Sequence, residues 1–139
     1  GGLQWGSATD GTRVYTANAN SGHANWPLLG GGMTNNGIWS ALDALTGTVL
    51  WQVTPPDQGS TSGPVTTANG IMFGCSLDAQ GHMYALNAAT GGILWSFASG
   101  GSCLSGAAIS EGMLYWGSGY SRLQPGTPNN KLYAFGLPN

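Results

Sequence analysis

Three observations predict an all-β chain of about three successive four-stranded antiparallel β-propeller blades, an incomplete propeller. An apolar motif recurs at fixed spacing, a turn signal precedes each copy, and 25 glycines are scattered without a three-residue period among 139 residues. The repeat is decisive, because four short strands in roughly 40–45 residues make one blade. The motif Ala41-Leu42-Asp43-Ala44-Leu45-Thr46-Gly47-Thr48-Val49-Leu50-Trp51 returns as Ala85-Leu86-Asn87-Ala88-Ala89-Thr90-Gly91-Gly92-Ile93-Leu94-Trp95, an offset of 44 residues. A truncated third copy, Leu132-Tyr133-Ala134-Phe135, stands near the end of the sequence.

Each blade opens on small residues: Gly6-Ser7-Ala8-Thr9, Gly63-Pro64-Val65-Thr66-Thr67 and Ser105-Gly106-Ala107-Ala108-Ile109. Such residues suit an innermost strand, where a radial sheet is most crowded. Next come Asp10-Gly11, Asn69-Gly70 and Glu111-Gly112, of which Asp-Gly and Asn-Gly favour the positive φ of tight hairpins. An apolar second strand follows each turn, as in Ile71-Met72-Phe73-Gly74. The recurring motif supplies the third strand, a Thr-Gly turn and a fourth strand ending in Leu-Trp. Trp51 and Trp95 are then expected to fill the space between neighbouring blades, because an aromatic ring buries a large area there. The expected blades are 1–53, 54–97 and 98–139. From Gly11 to Gly70 is 59 residues but from Gly70 to Gly112 only 42, so the first blade carries an insertion at about 18–37, a loop on one rim.

Only 6% of the residues are charged and the formal net charge is −2, so the surface must be solvated by amides and hydroxyls. Three cations far apart in sequence, Arg13, Arg122 and Lys131, form no basic face for phosphates, which excludes nucleic acid as a partner. No apolar run is long enough for a membrane helix. The chain starts at Gly1-Gly2-Leu3 without methionine, so its first residue is not expected to be the start of the gene product. Two cysteines, Cys75 and Cys103, lie at matching ends of adjacent blades and are expected to form one disulfide; with the scarcity of lysine and glutamate they point to a secreted or periplasmic protein.

The Ala-Leu-Asp-Ala-x-Thr-Gly-x-x-Leu-Trp unit resembles the repeat of quinoproteins, the pyrroloquinoline-quinone (PQQ) dependent alcohol dehydrogenases, and of their non-enzymatic relatives. Gly1 to Gly11, Trp116-Gly117-Ser118-Gly119-Tyr120 and Asn130-Lys131-Leu132-Tyr133-Ala134-Phe135 most resemble the C-terminal part of polyvinyl-alcohol-dehydrogenase-like proteins. The resemblance implies a C-terminal propeller segment that contributes wall and scaffold to a quinone site, with PQQ and calcium held in the complete propeller and no cofactor on this segment alone. The alternative is a non-catalytic extracellular propeller acting as a binding or scaffolding platform. Either way the remaining blades come from a companion chain or from the rest of a longer one. No Cys-x-x-Cys-His haem motif is present.

Alcohol oxidation onto a quinone needs a carboxylate base, and calcium wants oxygen ligands. Asp10 and Glu111 share a turn position with Asn69, and Asp43 shares one with Asn87, so an amide can replace each of these acids. Asp78 falls in a connecting loop, and Asp57, after Pro55-Pro56, is the one acid without a repeat role. No catalytic residue is assigned. His23 in the insertion and His82 in a turn have no second ligand at metal-binding spacing in sequence, and read as solvated loop histidines without a metal. No nucleophile-elbow or phosphate-loop pattern occurs. The cofactor-binding nominees are Trp5, whose ring would face a planar quinone near the axis, and Gln4, Gly63, Gly106 and Ala107, where small inner-strand residues would let a ligand approach the backbone.

Overall fold

The computed structural model describes residues 2–123 and 126–136, which contain thirteen strands and no helix. The first sheet is built from β1 (Ala8–Thr9), β2 (Arg13–Asn18), β5 (Ile38–Asp43) and β6 (Val49–Val53), in that order and antiparallel throughout. Between β2 and β5 the insertion folds back as a small hairpin of β3 (Trp26–Pro27) and β4 (Met33–Thr34). The second sheet repeats the order with β7 (Thr66–Ala68), β8 (Ile71–Cys75), β9 (His82–Asn87) and β10 (Ile93–Ala98). The third has three strands: β11 (Ala108–Ser110), β12 (Met113–Gly117) and β13 (Leu132–Gly136).

Turn chemistry fixes these hairpins locally. Asp43 Oδ1 accepts from the amides of Leu45 and Thr46, and Asn87 Oδ1 from those of Ala89 and Thr90. An acidic side chain and an amide therefore perform the same cap, which is why the repeat tolerates either. The next residue but three, Gly47 or Gly91, takes a positive φ of 73° or 75°. Both fourth strands carry a bulge, after which Trp51 stands opposite Ala41 and Trp95 opposite Ala85.

Blades meet face to face through two apolar clusters. Tyr15, Trp39, Trp51, Met72 and Leu86 fill the first interface. Trp39 lies directly on Gly74, where an added Cβ would come within 2.6 Å of its ring nitrogen, so only glycine admits the indole. Trp51 is 7% exposed, donates from Nε1 to the carbonyl of Ala88 at 3.0 Å, and presses on Gly91 of the next blade. The second interface joins Met83, Leu114 and Trp116 to Phe73, Trp95, Phe97, Tyr133 and Phe135. Trp95, the repeat counterpart of Trp51, is only half-buried, against Phe97 and Phe135. The two tryptophans expected to be equivalent are therefore seated unequally. Innermost segments are tied as well, Val65 N to Gly6 O at 3.1 Å and Thr66 Oγ1 to Ala107 O at 2.7 Å.

Cys75, closing β8, is bonded to Cys103 in the loop that enters the third sheet, with Cα atoms 5.8 Å apart. The two rims of the arc differ: one holds the tight glycine turns, the other all the longer connections, including the insertion and the segments that pass from blade to blade.

Candidate functional site

The long-loop rim carries an open cleft of about 500 Å³ beside the junction of the first two blades, lined among others by Gln4, His23, Asp57, Ser60, Asp78 and Leu123. Asp57 arrives on the inter-blade segment and Asp78 on the loop between β8 and β9, at whose start stands His82. These three side chains converge, with one ligand-capable atom from each lying within 4.8 Å of the others. His82 Nδ1 is 3.1 Å from Asp78 Oδ1 and 3.4 Å from Asp57 Oδ2. This corrects the reading of His82 as a solvated loop histidine with no neighbouring ligand. The ring is partly buried at a strand start, and its partners come from four and 25 residues away in sequence. His23 does lie in the insertion, with Nδ1 3.0 Å from the carbonyl of Asn35.

The loop of Asp78 is shaped by its own carboxylate. Oδ1 accepts from the amides of Gln80 and Gly81 and Oδ2 from that of His82, while Gly81 adopts a φ of 61° where a Cβ would strike the carbonyl of Gly101. Asp57 is held by its surroundings. Oδ1 accepts from the Gly59 amide and the Ser76 hydroxyl, and Oδ2 from the Tyr84 hydroxyl, each at 2.7 Å. Burial pushes the Asp78 carboxyl up, but the amides of His82 and Gln80 and the His82 imidazole outweigh it and hold the group below the usual carboxylate range. Burial, and then the hydrogen bond to Asp57, push the Tyr84 phenol far above its ordinary value. Asp57, Asp78 and His82 are the residues that could hold a cation, and the carboxylate oxygens already accept from protein donors.

A second carboxylate–phenol pair lies on the tight-turn rim, where Tyr15 Oη donates to Asp10 Oδ2 at 2.6 Å. Burial and then this bond raise the Tyr15 phenol to about 12 from 10.0. Spectrophotometric titration is expected to find Tyr15 ionising only near pH 12 and Tyr84 likewise held far above the ordinary phenol value. Because a raised folded value means the folded state holds its proton longer, the Tyr15 contribution to stability is complete below pH 10 and is lost as pH rises towards about 12. Ionisation of Tyr15 and Tyr84 at the ordinary phenol value would refute both hydrogen bonds.

The cofactor-binding nominees are divided by the fold. Gln4 lines the cleft and Trp5 is 52% exposed. Gly63 backs onto Leu104 and Cys75, Gly106 onto Pro64, and Ala107 is buried with its carbonyl bound by Thr66. At these three positions the small side chain admits the neighbouring blade. PQQ is an anionic quinone bearing carboxylates. Among the described residues the cleft is lined by two aspartates and by no Lys or Arg, a donor set that does not fit that group on its own.

Comparison with known proteins agrees with this fold. At 30% identity the chain aligns along 99% of its length with the polyvinylalcohol dehydrogenase of Sphingopyxis sp. (strain 113P3), of which it spans 25%. Among solved structures it superposes on BamB from Moraxella catarrhalis with a TM-score of 0.64 at 15% identity, covering 96% of this chain and 34% of that one. A europium-containing methanol dehydrogenase gives 0.67 at 19% identity, over 96% and 23%. The quinohemoprotein alcohol dehydrogenase of Comamonas testosteroni gives 0.68 at 16%, over 97% and 19%. Residues 34–134 match the family model described as outer membrane protein assembly factor BamB. With the recurring Leu-Trp strands, the stacked antiparallel sheets and that match over most of its length, the chain belongs to this family of propeller-repeat proteins.

Proposed function

We propose that this chain is a C-terminal segment of a PQQ-dependent, alcohol-dehydrogenase-like propeller, in which it supplies wall and scaffold to a site completed by further blades. The observation that carries the reading is the likeness to a polyvinylalcohol dehydrogenase along nearly the whole chain. The cleft on the long-loop rim is the part of this segment best placed to face a substrate, with Gln4 and Trp5 as the residues that would touch cofactor or alcohol and Gly63, Gly106 and Ala107 as backbone support. The base, the calcium ligands and the cationic contacts for the quinone belong to the other blades, since both inner aspartates here are engaged by protein donors. When bound, PQQ would act as the electron acceptor for the alcohol. A secreted or periplasmic location is supported by the disulfide.

The test is to supply PQQ and calcium to the 139-residue chain and follow dye reduction with primary and secondary alcohols. No turnover is expected from the chain alone, and activity is expected to return when the missing blades are added. Sustained turnover by the chain alone, abolished by Asp57→Asn, would overturn the assignment of the chemistry to other blades. The second reading, a non-catalytic binding or scaffolding propeller, is favoured by the match to the BamB family; a completed ring that neither binds PQQ nor oxidises alcohols would establish it.

A further inference from the structure

The second blade holds a group of side chains that its repeat does not require. Register places Met83 opposite Cys75, Trp39 opposite Ala17 and Leu132 opposite Gly117, so these three share one position on the third strand of their sheets. The residue before that position is His82 in the second sheet, but Ile38 in the first and Lys131 in the third. Asp57, on the segment between the first two blades, likewise has no counterpart in the repeat. The capping carboxylate of Asp43, by contrast, is replaced by an amide at Asn87. What the three blades build in common therefore does not explain why Asp57, Asp78 and His82 meet.

Charge and distance both point to a cation there. The side chains of Asp57 and Asp78 are only 11% and 13% exposed, and among the described residues the one ion-pair partner of either is His82. A single imidazole, charged or neutral, leaves these two nearly buried carboxylates with a net negative charge, which is costly unless it is paired. A divalent cation beside a neutral imidazole brings the sum to zero. His82 Nδ1 stands 3.1 Å from Asp78 Oδ1 and 3.4 Å from Asp57 Oδ2, and the three ligand atoms lie within 4.8 Å of one another. Tetrahedral zinc, with bonds of about 2.0–2.2 Å, sets neighbouring ligand atoms about 3.3–3.5 Å apart, so both edges from the imidazole are already near the required length. Calcium takes about six to eight oxygens, whereas one imidazole and two carboxylates suit zinc. The protein donors fix the carboxylates in place: the Gly59 amide and Ser76 hydroxyl hold Asp57 Oδ1, the Tyr84 hydroxyl orients Oδ2, and the Gln80 and Gly81 amides hold Asp78 Oδ1 beside the imidazole. Carboxylates that bind a metal ordinarily carry such outer hydrogen bonds.

We infer that Asp57, Asp78 and His82 form a zinc(II) site, in which His82 Nδ1 and one oxygen of each aspartate bind the metal. Both aspartates line the cleft, so the fourth position is open to it and takes water or an oxygen donor of whatever occupies the cleft. The metal ties the segment between the first two blades to the loop that enters β9. The site needs neither PQQ nor alcohol oxidation, and it stands or falls independently of the function proposed above.

Two measurements on the whole 139-residue chain test it. In the first, the chain is stripped with a chelator and zinc is added in competition with a chromophoric chelator, with calcium in a parallel series. One equivalent of zinc is expected to bind, and calcium at least about tenfold more weakly. His82→Gln and Asp78→Asn should each weaken zinc binding at least about tenfold, since even the outer-shell partners of a metal are worth that much. Asp43→Asn, a change the repeat itself makes at Asn87, should leave it as it was. No saturable zinc binding, binding that survives either of the first two substitutions, or equal affinity for calcium overturns the proposal. Should a substitution disturb the loop, the second measurement stands without it: the ring resonances of the two histidines of the unaltered chain are followed by NMR as zinc is added. Those of His82 are expected to shift and to stop shifting at one equivalent while those of His23 stay in place. A shift at His23 as large as that at His82, or at neither ring, overturns the site.

Discussion

Reduction of the Cys75–Cys103 bridge, or replacement of both cysteines by serine, is expected to lower the unfolding free energy by about 3–4 kcal/mol. The figure follows from a sequence separation of 28 residues and the chain entropy that closing such a loop removes from the unfolded state. The bond joins the end of β8 to the loop entering the third sheet. Denaturant titration with and without reductant reads the difference. The native state is expected to survive reduction at low denaturant, because the second apolar cluster remains. A change below about 1 kcal/mol would mean that the inter-blade packing already restricts the unfolded chain.

Trp51→Ala is expected to cost about 3–5 kcal/mol, the range for deleting a fully packed aromatic side chain. The ring is almost wholly buried, its nitrogen bonds the Ala88 carbonyl, and it rests on Gly91, where an added Cβ would lie 2.7 Å from the ring. Trp95→Ala, at the equivalent position, is expected to cost about half as much, because that ring is only half-buried, against Phe97 and Phe135. Gly91→Ala and Gly47→Ala form a control pair. Both sites have a positive φ, of 75° and 73°, but only at Gly91 does the new methyl also meet an indole, so only there should the loss exceed the backbone cost of roughly 1 kcal/mol. Urea midpoints for the four variants decide the matter. Equal losses at Trp51 and Trp95 would refute the unequal seating.

What the sequence made legible was local. The Asp-Gly and Asn-Gly turns, the Asx-capped Thr-Gly turns and the alternation of the Leu-Trp strands are written within a few residues of one another, so the repeat could be read directly. The insertion showed itself as a spacing of 59 against 42 residues. The cysteine pair was legible through the repeat, which put both residues at matching blade ends. The meeting of Asp57, Asp78 and His82 was not. Asp57 has no counterpart in the repeat, and its partners Ser76, Tyr84 and His82 lie 19 to 27 residues away, after β8 and on β9. Only the Asp78–His82 spacing of four was visible, and in a loop that spacing has no fixed meaning. The role of the small residues Gly63, Gly106 and Gly74 was also hidden, since smallness reads the same whether a ligand or a neighbouring blade is what comes close.

The unequal rims have a consequence for how such a chain can change over evolutionary time. Sheets that touch only through their faces do not register the length of a connection, and closure entropy grows only slowly as a loop lengthens. The rim of long loops can therefore accept insertions, as the first blade already has around its small hairpin, without disturbing the Trp-on-Gly contacts that hold blade to blade. The rim of glycine turns has less latitude, because the turn at Gly91 is also the seat on which the Trp51 indole of the neighbouring blade rests. Novelty in recognition is free to accumulate on one side of the arc while the other keeps the ring's curvature constant.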